Sequence, residues 1–308
     1  MKLLIGGCAV FLFSSSLSLA QTTAPAPVDL SYHFKAGTVL HYQRLDEIRN
    51  PDNPPGYQEG NYDSKEDIHI TVENVDAAGN TTLVIKNEEV NDFKGGDDAK
   101  GVTMGALAQD IPLYRVTIDK FGKYISGEIL RRSPQDSVFH EQMKSPGFNG
   151  WSRPDSSNIQ YSMAQVLSPR PARINARVGM KWNDTLCKLS HNVTYYTNHS
   201  ASAPTQHPPP GPSYMSYHYD FNIAQDAADR AAGKYTLAKE TTNYQVSDGK
   251  LLTEGLTDEK QGIRSSDGLT LTRTELQKRI PGKSADPMYD RIYLNKTLTL
   301  ISVDSTAH

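Results

Sequence analysis

The side chains in this sequence that could do chemistry are few, and none falls into a complete local motif. Four histidines, His191, His199, His207 and His218, gather around the proline run Pro208, Pro209, Pro210. Neutral imidazoles there could ligate a metal, but without fixed spacing, a cysteine or clustered carboxylates they read as solvated loop residues. His140-Glu141-Gln142-Met143-Lys144 starts as a zinc-protease helix does. Lys144 stands where the second histidine must be, one helical turn on, so the metal would lose a ligand. The acidic groups Asp63, Glu66, Asp67 and Asp97, Asp98 could meet calcium weakly, and solvated loops explain both. There is no Gly-x-Ser-x-Gly elbow, phosphate-binding glycine loop or calcium loop closed by glutamate. The sequence therefore names no catalytic residue, no metal ligand and no cofactor, although a triad assembled from distant residues would leave no local trace.

Tyrosine is the more telling residue, with 16 in the chain. Met215, Tyr217, Tyr219, Phe221 and Ile223 alternate with Ser216, His218, Asp220 and Asn222, the period-two pattern of a strand with one apolar face. Tyrosine offers apolar area plus a hydroxyl, which suits a lipid-like or aromatic ligand or a carbohydrate platform. Such a stripe is also what the core of a β-sandwich or barrel looks like. Met215, Tyr217, Tyr219 and Phe221, with Tyr195 opposite, are the candidate ligand-lining residues. Met180 to Thr197 and Tyr214 to Ile223 form the broad hairpin that would position them, with Cys187, Leu189, Val193 and Tyr195 read as the apolar side of its first arm.

The remaining elements build outward from that hairpin. Residues 1–20 read as a signal peptide: Lys2, an apolar run from Leu3 to Phe13, and small residues Ser18 and Ala20 before Gln21. A lipoprotein reading with Cys8 lipidated leaves too short an apolar core before the cysteine. Residues 21–28, with Pro25 and Pro27, read as a disordered leader. Residues 29–133 form a first β-rich half: Leu30, Tyr32 and Phe34 alternate into a bend at Gly37, then Leu40 and Tyr42 continue. Hairpins follow around Asp76 to Asn80 and around Asp119 to Gly122. Residues 134–171 are a helical and loop interlude, with Asp136 and Asp155 as caps and Ile159, Met163 and Val166 on one helix face. Residues 172–305 form a second β-rich half whose turns hold Asp248-Gly249, Asp267-Gly268 and Pro281-Gly282. The fold class is mainly β: a curved antiparallel sheet, as half-barrel, barrel or sandwich, of about ten strands, with one or two short helices between the halves.

The totals narrow the partners. A formal charge of −3 with no basic block gives no reason to expect nucleic acid or anionic membrane. No segment reaches the ~18 apolar residues of a helical membrane span, so an integral membrane protein is not expected. With residues 1–20 removed, Cys187 is the one remaining cysteine, so no intramolecular disulfide forms and the core must stabilise the fold.

At Tyr32, Phe34, Lys35, Gly37 and Tyr42, and at Val178, Gly179, Trp182, Asp184 and Thr185, the chain resembles a group of uncharacterised secreted bacterial β proteins. These open on a Tyr-x-Phe-x-x-Gly strand and carry a mid-chain Val-Gly-x-x-Trp-x-Asp-Thr element. The layout is similar, more distantly, to the periplasmic lipoprotein carriers, whose half-barrels hold acyl chains; no functional residue is matched. The sequence thus points to an exported, non-catalytic protein, periplasmic or extracellular, binding a hydrophobic or lipid-like small molecule or an envelope protein. An exported hydrolase with a nonstandard site and a structural or adhesion module are the alternatives.

Overall fold

The computed structural model describes residues 27–49, 62–89, 113–132, 137, 159–160, 163–164, 166–173, 175–190, 213–247, 250–279 and 293–305. Among these residues, eleven strands build one open antiparallel sheet: β1 (Thr38–Arg49), β2 (Tyr62–Val75), β3 (Thr81–Glu89), β4 (Leu113–Ile118), β5 (Tyr124–Arg131), β6 (Lys181–Ser190), β7 (Ser213–Ala224), β8 (Lys234–Ser247), β9 (Lys250–Arg264), β10 (Thr270–Arg279) and β11 (Tyr293–Ser305). Their order is β5-β4-β3-β2-β1-β11-β10-β9-β8-β7-β6. Two meanders, β1–β5 and β6–β11, are therefore sewn together where the first strand pairs with the last. The mainly β, antiparallel expectation holds. No ladder joins β5 to β6, so the barrel among the expected shapes does not close, and neither edge meets a further strand among the described residues.

Local chemistry explains the tight turns. Asp76 Oδ1 accepts from the backbone N–H of Ala78 and of Asn80, each at 2.8 Å, while Gly79 takes φ 84°. Asp119 repeats the device, accepting from Phe121 and Lys123 N–H at 2.8 Å, with Gly122 at φ 79°. An aspartate that caps two backbone donors, followed by a glycine free to adopt positive φ, closes each hairpin.

Period two then sorts the side chains. Leu40 and Tyr42 on β1, Ile68, Ile70 and Val72 on β2, Leu83 and Ile85 on β3, and Val116 and Ile118 on β4 share one face, buried to 2% exposure or less. Each contributes ~1.5–3 kcal/mol on burial. The cover over this face comes from outside the sheet. Residues 159, 160, 163, 164 and 166 are helical, and Ile159, Met163, Val166 and Leu167 pack into the same core. The face with the periodicity Ile159, Met163, Val166 is thus the one that docks, while the caps Asp136 and Asp155 lie outside the described residues. A five-residue helix α1 (Ala227–Ala231), capped by Asp226, links β7 to β8.

Two local readings change. Leu30, Tyr32 and Phe34 alternate as a strand would and are all buried, yet they lie outside the sheet ladder. This extended strap crosses the inner face, its Tyr32 N–H donating to Lys120 O at 2.7 Å and its His33 N–H to Asp267 O at 2.9 Å. Alternation reports burial of one side, not ladder membership. Pro27 and Val28 already belong to it, through a bridge to Arg177 and a bond to Ala176 O. In β6 the register pairs Trp182 with Phe221, Asp184 with Tyr219 and Leu186 with Tyr217, whereas Cys187 pairs with Ser216. The even positions of β6, not the parity of Cys187 and Leu189, therefore share the aromatic face, because directly paired residues lie on the same side.

Candidate functional site

The aromatic stripe is laid out by β6 and β7 at one end of the inner face. Tyr217 and Tyr219 stack with ring centroids 6.2 Å apart, Tyr219 and Phe221 at 6.0 Å, and Phe221 and Trp182 at 5.0 Å. The Arg173 guanidinium closes the row 4.8 Å from the Trp182 centroid. Side chains two apart on a strand are spaced to stack in this way. Tyr217, Tyr219 and Phe221 are each half-buried. Burial, reinforced by the neighbouring Tyr217, raises the pKa of Tyr219 above the usual phenol. The side chain of Met215 and the whole of Tyr195 lie outside the described residues. Trp182 was no part of the expected lining; the clue in the sequence was its place in the hairpin arm that register sets against Phe221.

Beside the aromatic row, the inner face turns polar. Lys239 pairs with Phe221 in register, and Lys239 Nζ lies 2.7 Å from Glu259 Oε2. Glu259, 3% exposed, also accepts from Ser168 Oγ at 3.0 Å and from Gln261 Nε2 at 2.5 Å, and faces Arg273 at 3.4 Å. Arg273 continues to Glu275 at 2.9 Å and donates to Ala164 O at 2.7 Å. Burial alone would raise the Glu259 pKa, but Lys239 and Arg273 outweigh it and hold the carboxyl down at about 2. This row is a salt-bridged seam with its charges answered inside the protein. Its sequence signal was visible: Arg273, Glu275 and Gln277 occupy the parity that elsewhere carries the core.

The opposite face holds three carboxylates in register, Asp220 beside Glu240 beside Asp258. Like charges placed side by side cost stability, and Lys278 offsets one of them, 3.0 Å from Asp258. Open clefts of about 540 Å³, touching Asp220 and Glu240, and about 390 Å³, touching Glu240 and Asp258, lie along this row.

His191, His199, His207 and His140 lie outside the described residues, as do Asp97 and Asp98. His218 contacts Thr185 Oγ1 through Nδ1 at 3.1 Å and Asp220 through Nε2 at 3.3 Å. Glu66 is drawn to Arg44 at 2.7 Å and Asp67 accepts from Gln43 at 3.2 Å, on opposite parities of β2. Among the described residues, no group of three or more His, Cys, Asp or Glu is arranged to hold a metal.

One serine, histidine and aspartate do meet, in the strap. Ser31 Oγ donates to Asp29 Oδ1 at 2.5 Å, and His33 Nε2 lies 3.1 Å from Ser31 Oγ and 2.8 Å from Asp29 Oδ2. A relay needs one imidazole nitrogen on the serine and the other on the carboxylate. Here Nε2 faces both, and the serine proton already rests on Asp29, so the trio stabilises a bend.

No family model and no curated protein matches the chain, so its resemblance to secreted bacterial β proteins stands on the two motifs alone. Among solved structures, one of lipovitellin, concerned with lipid–protein interactions, is similar over 89% of this chain at 9% identity and a TM-score of 0.24. The chain spans 26% of that protein's length. A likeness this slight transfers no property to the chain. Among the described residues, no helix is long and apolar enough to cross a membrane.

Proposed function

We propose that this is an exported, non-catalytic binding protein that lays an acyl chain or similar lipid-like ligand along the row Tyr217, Tyr219, Phe221. The observation that carries the reading is the stack itself. Its rings face one another at 5.0 to 6.2 Å, so their faces are occupied and their apolar edges remain for a ligand. A carbohydrate platform needs an open ring face, which favours a chain-like apolar ligand over a sugar. Among the described residues, the inner face of the first meander is covered by Ile159, Met163, Val166 and Leu167, which pack into its core. Native mass spectrometry of the full chain purified from its own cell envelope tests this. A co-purifying lipid mass, lost in the Tyr217→Ala/Tyr219→Ala variant, is expected; a ligand-free spectrum sinks the reading.

A second reading, an exported hydrolase, draws on one observation: Asp220 and Glu240 stand in register at the mouth of the outer cleft. Both are exposed to solvent, where water competes with any substrate for their hydrogen bonds. A hydrolase screen in which Glu240→Gln abolishes turnover would establish this reading over the first.

A further inference from the structure

The two edges of the open sheet are built differently. On β5, the register shifts twice against β4, once between the Thr117 and Ile118 pairs and once between Leu113 and Tyr114, which leaves Ile125 and Leu130 without a partner position. Bulges of this kind bend an edge and spoil it as a template for further pairing. β6 carries no such device. It pairs with β7 through ten consecutive positions without a shift, from Lys181 opposite Asn222 to Ser190 opposite Ser213. Its other side meets no strand among the described residues, and Lys181, Asn183, Asp184 and Thr185 are exposed. A regular edge strand of this length is a ready template for another strand.

We propose that the occupant is β6 of a second copy of this chain, paired antiparallel about a two-fold axis at Leu186. The charges select both the partner and the register. A two-fold axis normal to the sheet keeps the inner faces of both copies on one side, so each β6 residue lies opposite one of the same parity. With Leu186 opposite its own copy, Asp184 stands opposite Lys188 twice, once on each side of the axis, and Thr185 lies opposite Cys187. Centring the pairing on Asp184 or on Lys188 sets like charges against each other. Centring it on Thr185 or Cys187 leaves Asp184 and Lys188 opposite uncharged residues. Lysines on an edge ordinarily discourage pairing, and only the Leu186 register answers Lys188 with a carboxylate. Directly opposite charges on neighbouring strands attract, and like charges repel. The resulting sheet runs unbroken through both molecules, with the Trp182 positions of the two copies flanking the axis. This assembly is independent of the lipid reading, since mass reports it whether or not a ligand is bound.

Sedimentation equilibrium of the full chain at micromolar concentration is the test, with a dimer expected. Asp184→Lys, which sets lysine against lysine, weakens the dimer about ten-fold or more, and Asp184→Lys/Lys188→Asp restores it. Leu186→Cys in a Cys187→Ser background closes a disulfide between copies on mild oxidation. Far-UV circular dichroism checks that Asp184→Lys is folded, and should it not be, the Leu186→Cys crosslink decides the matter. A monomeric wild type, a dimer that folded Asp184→Lys leaves unchanged, or failure of the crosslink would each overturn the proposal.

Discussion

The guanidinium carbon of Arg170 lies 3.7 Å from the centroid of the Tyr32 ring. Arg170, 5% exposed, also donates to Leu30 O at 3.2 Å, Gly268 O at 2.6 Å and Thr270 Oγ1 at 2.9 Å. One side chain thus ties the strap, the segment after the interlude helix and the β9–β10 turn. Arg170→Met is expected to cost ~3–5 kcal/mol, because three buried acceptors lose a charged donor. Arg170→Lys restores little, since a point charge cannot replace the planar fork on a ring. Urea midpoints for the two variants check this; a Lys variant as stable as wild type would refute it.

Gly268 and Gly233 give a matched pair. Both have positive φ, 68° and 63°, but a Cβ on Gly268 would fall 1.9 Å from Ser31 O, whereas one on Gly233 meets nothing within 4 Å. Gly233→Ala should cost about 1 kcal/mol, the backbone term alone. Gly268→Ala must also lift the strap off the turn, and a loss of roughly 3 kcal/mol or more is expected. Thermal melts of both variants, run side by side, would count against the close approach if the losses came out equal.

Acid stability follows from Glu259. Its carboxyl titrates at about 2 in the folded protein against 4.5 for the ordinary group, so folding favours the ionised form. The stabilisation is complete above pH 4.5 and drains as pH falls from there toward 2. Its size is about 3 kcal/mol. Glu259→Gln should lose stability at neutral pH, as Lys239 and Arg273 are left without their carboxylate, and should flatten the acid limb. Parallel urea titrations at neutral pH and on the acid limb measure both effects, and an unchanged acid limb in the variant would exclude Glu259 as its cause.

The aromatic row makes a prediction separate from ligand mass. Phe221 is sandwiched between Tyr219 and Trp182, so Phe221→Ala breaks the stack at its middle. A stability loss of about 2–3 kcal/mol is expected, with a changed Trp182 emission in a Trp151→Phe background. Tyr219→Phe keeps the stack and should leave that emission as it was. Fluorescence that ignored Phe221→Ala would show the row to be no stack in solution.

Much of this architecture was legible because it is written locally. Asp76 with Gly79 and Asp119 with Gly122 specify their hairpins within five residues. Met215 to Ile223 declares its two unlike sides by period, as do Ile68 to Val72 and Leu294 to Leu300. The helical face of Ile159, Met163 and Val166 could likewise be read before any packing was known.

What the tertiary structure decided is partnership, which local period does not encode. Leu30 to Phe34 alternates as a strand does, but only the placement of Lys120 and Asp267 makes it a strap across the sheet. β6 offered two parities of mixed character, and its pairing with β7 chose the one holding Trp182. Glu259 and Arg273 sit on a core parity as charges, which looks costly in one strand. They are stable there because Lys239 and Ser168 reach Glu259, and Ala164 O reaches Arg273, from distant parts of the chain, while Glu275 pairs with Arg273 from two residues along the same strand.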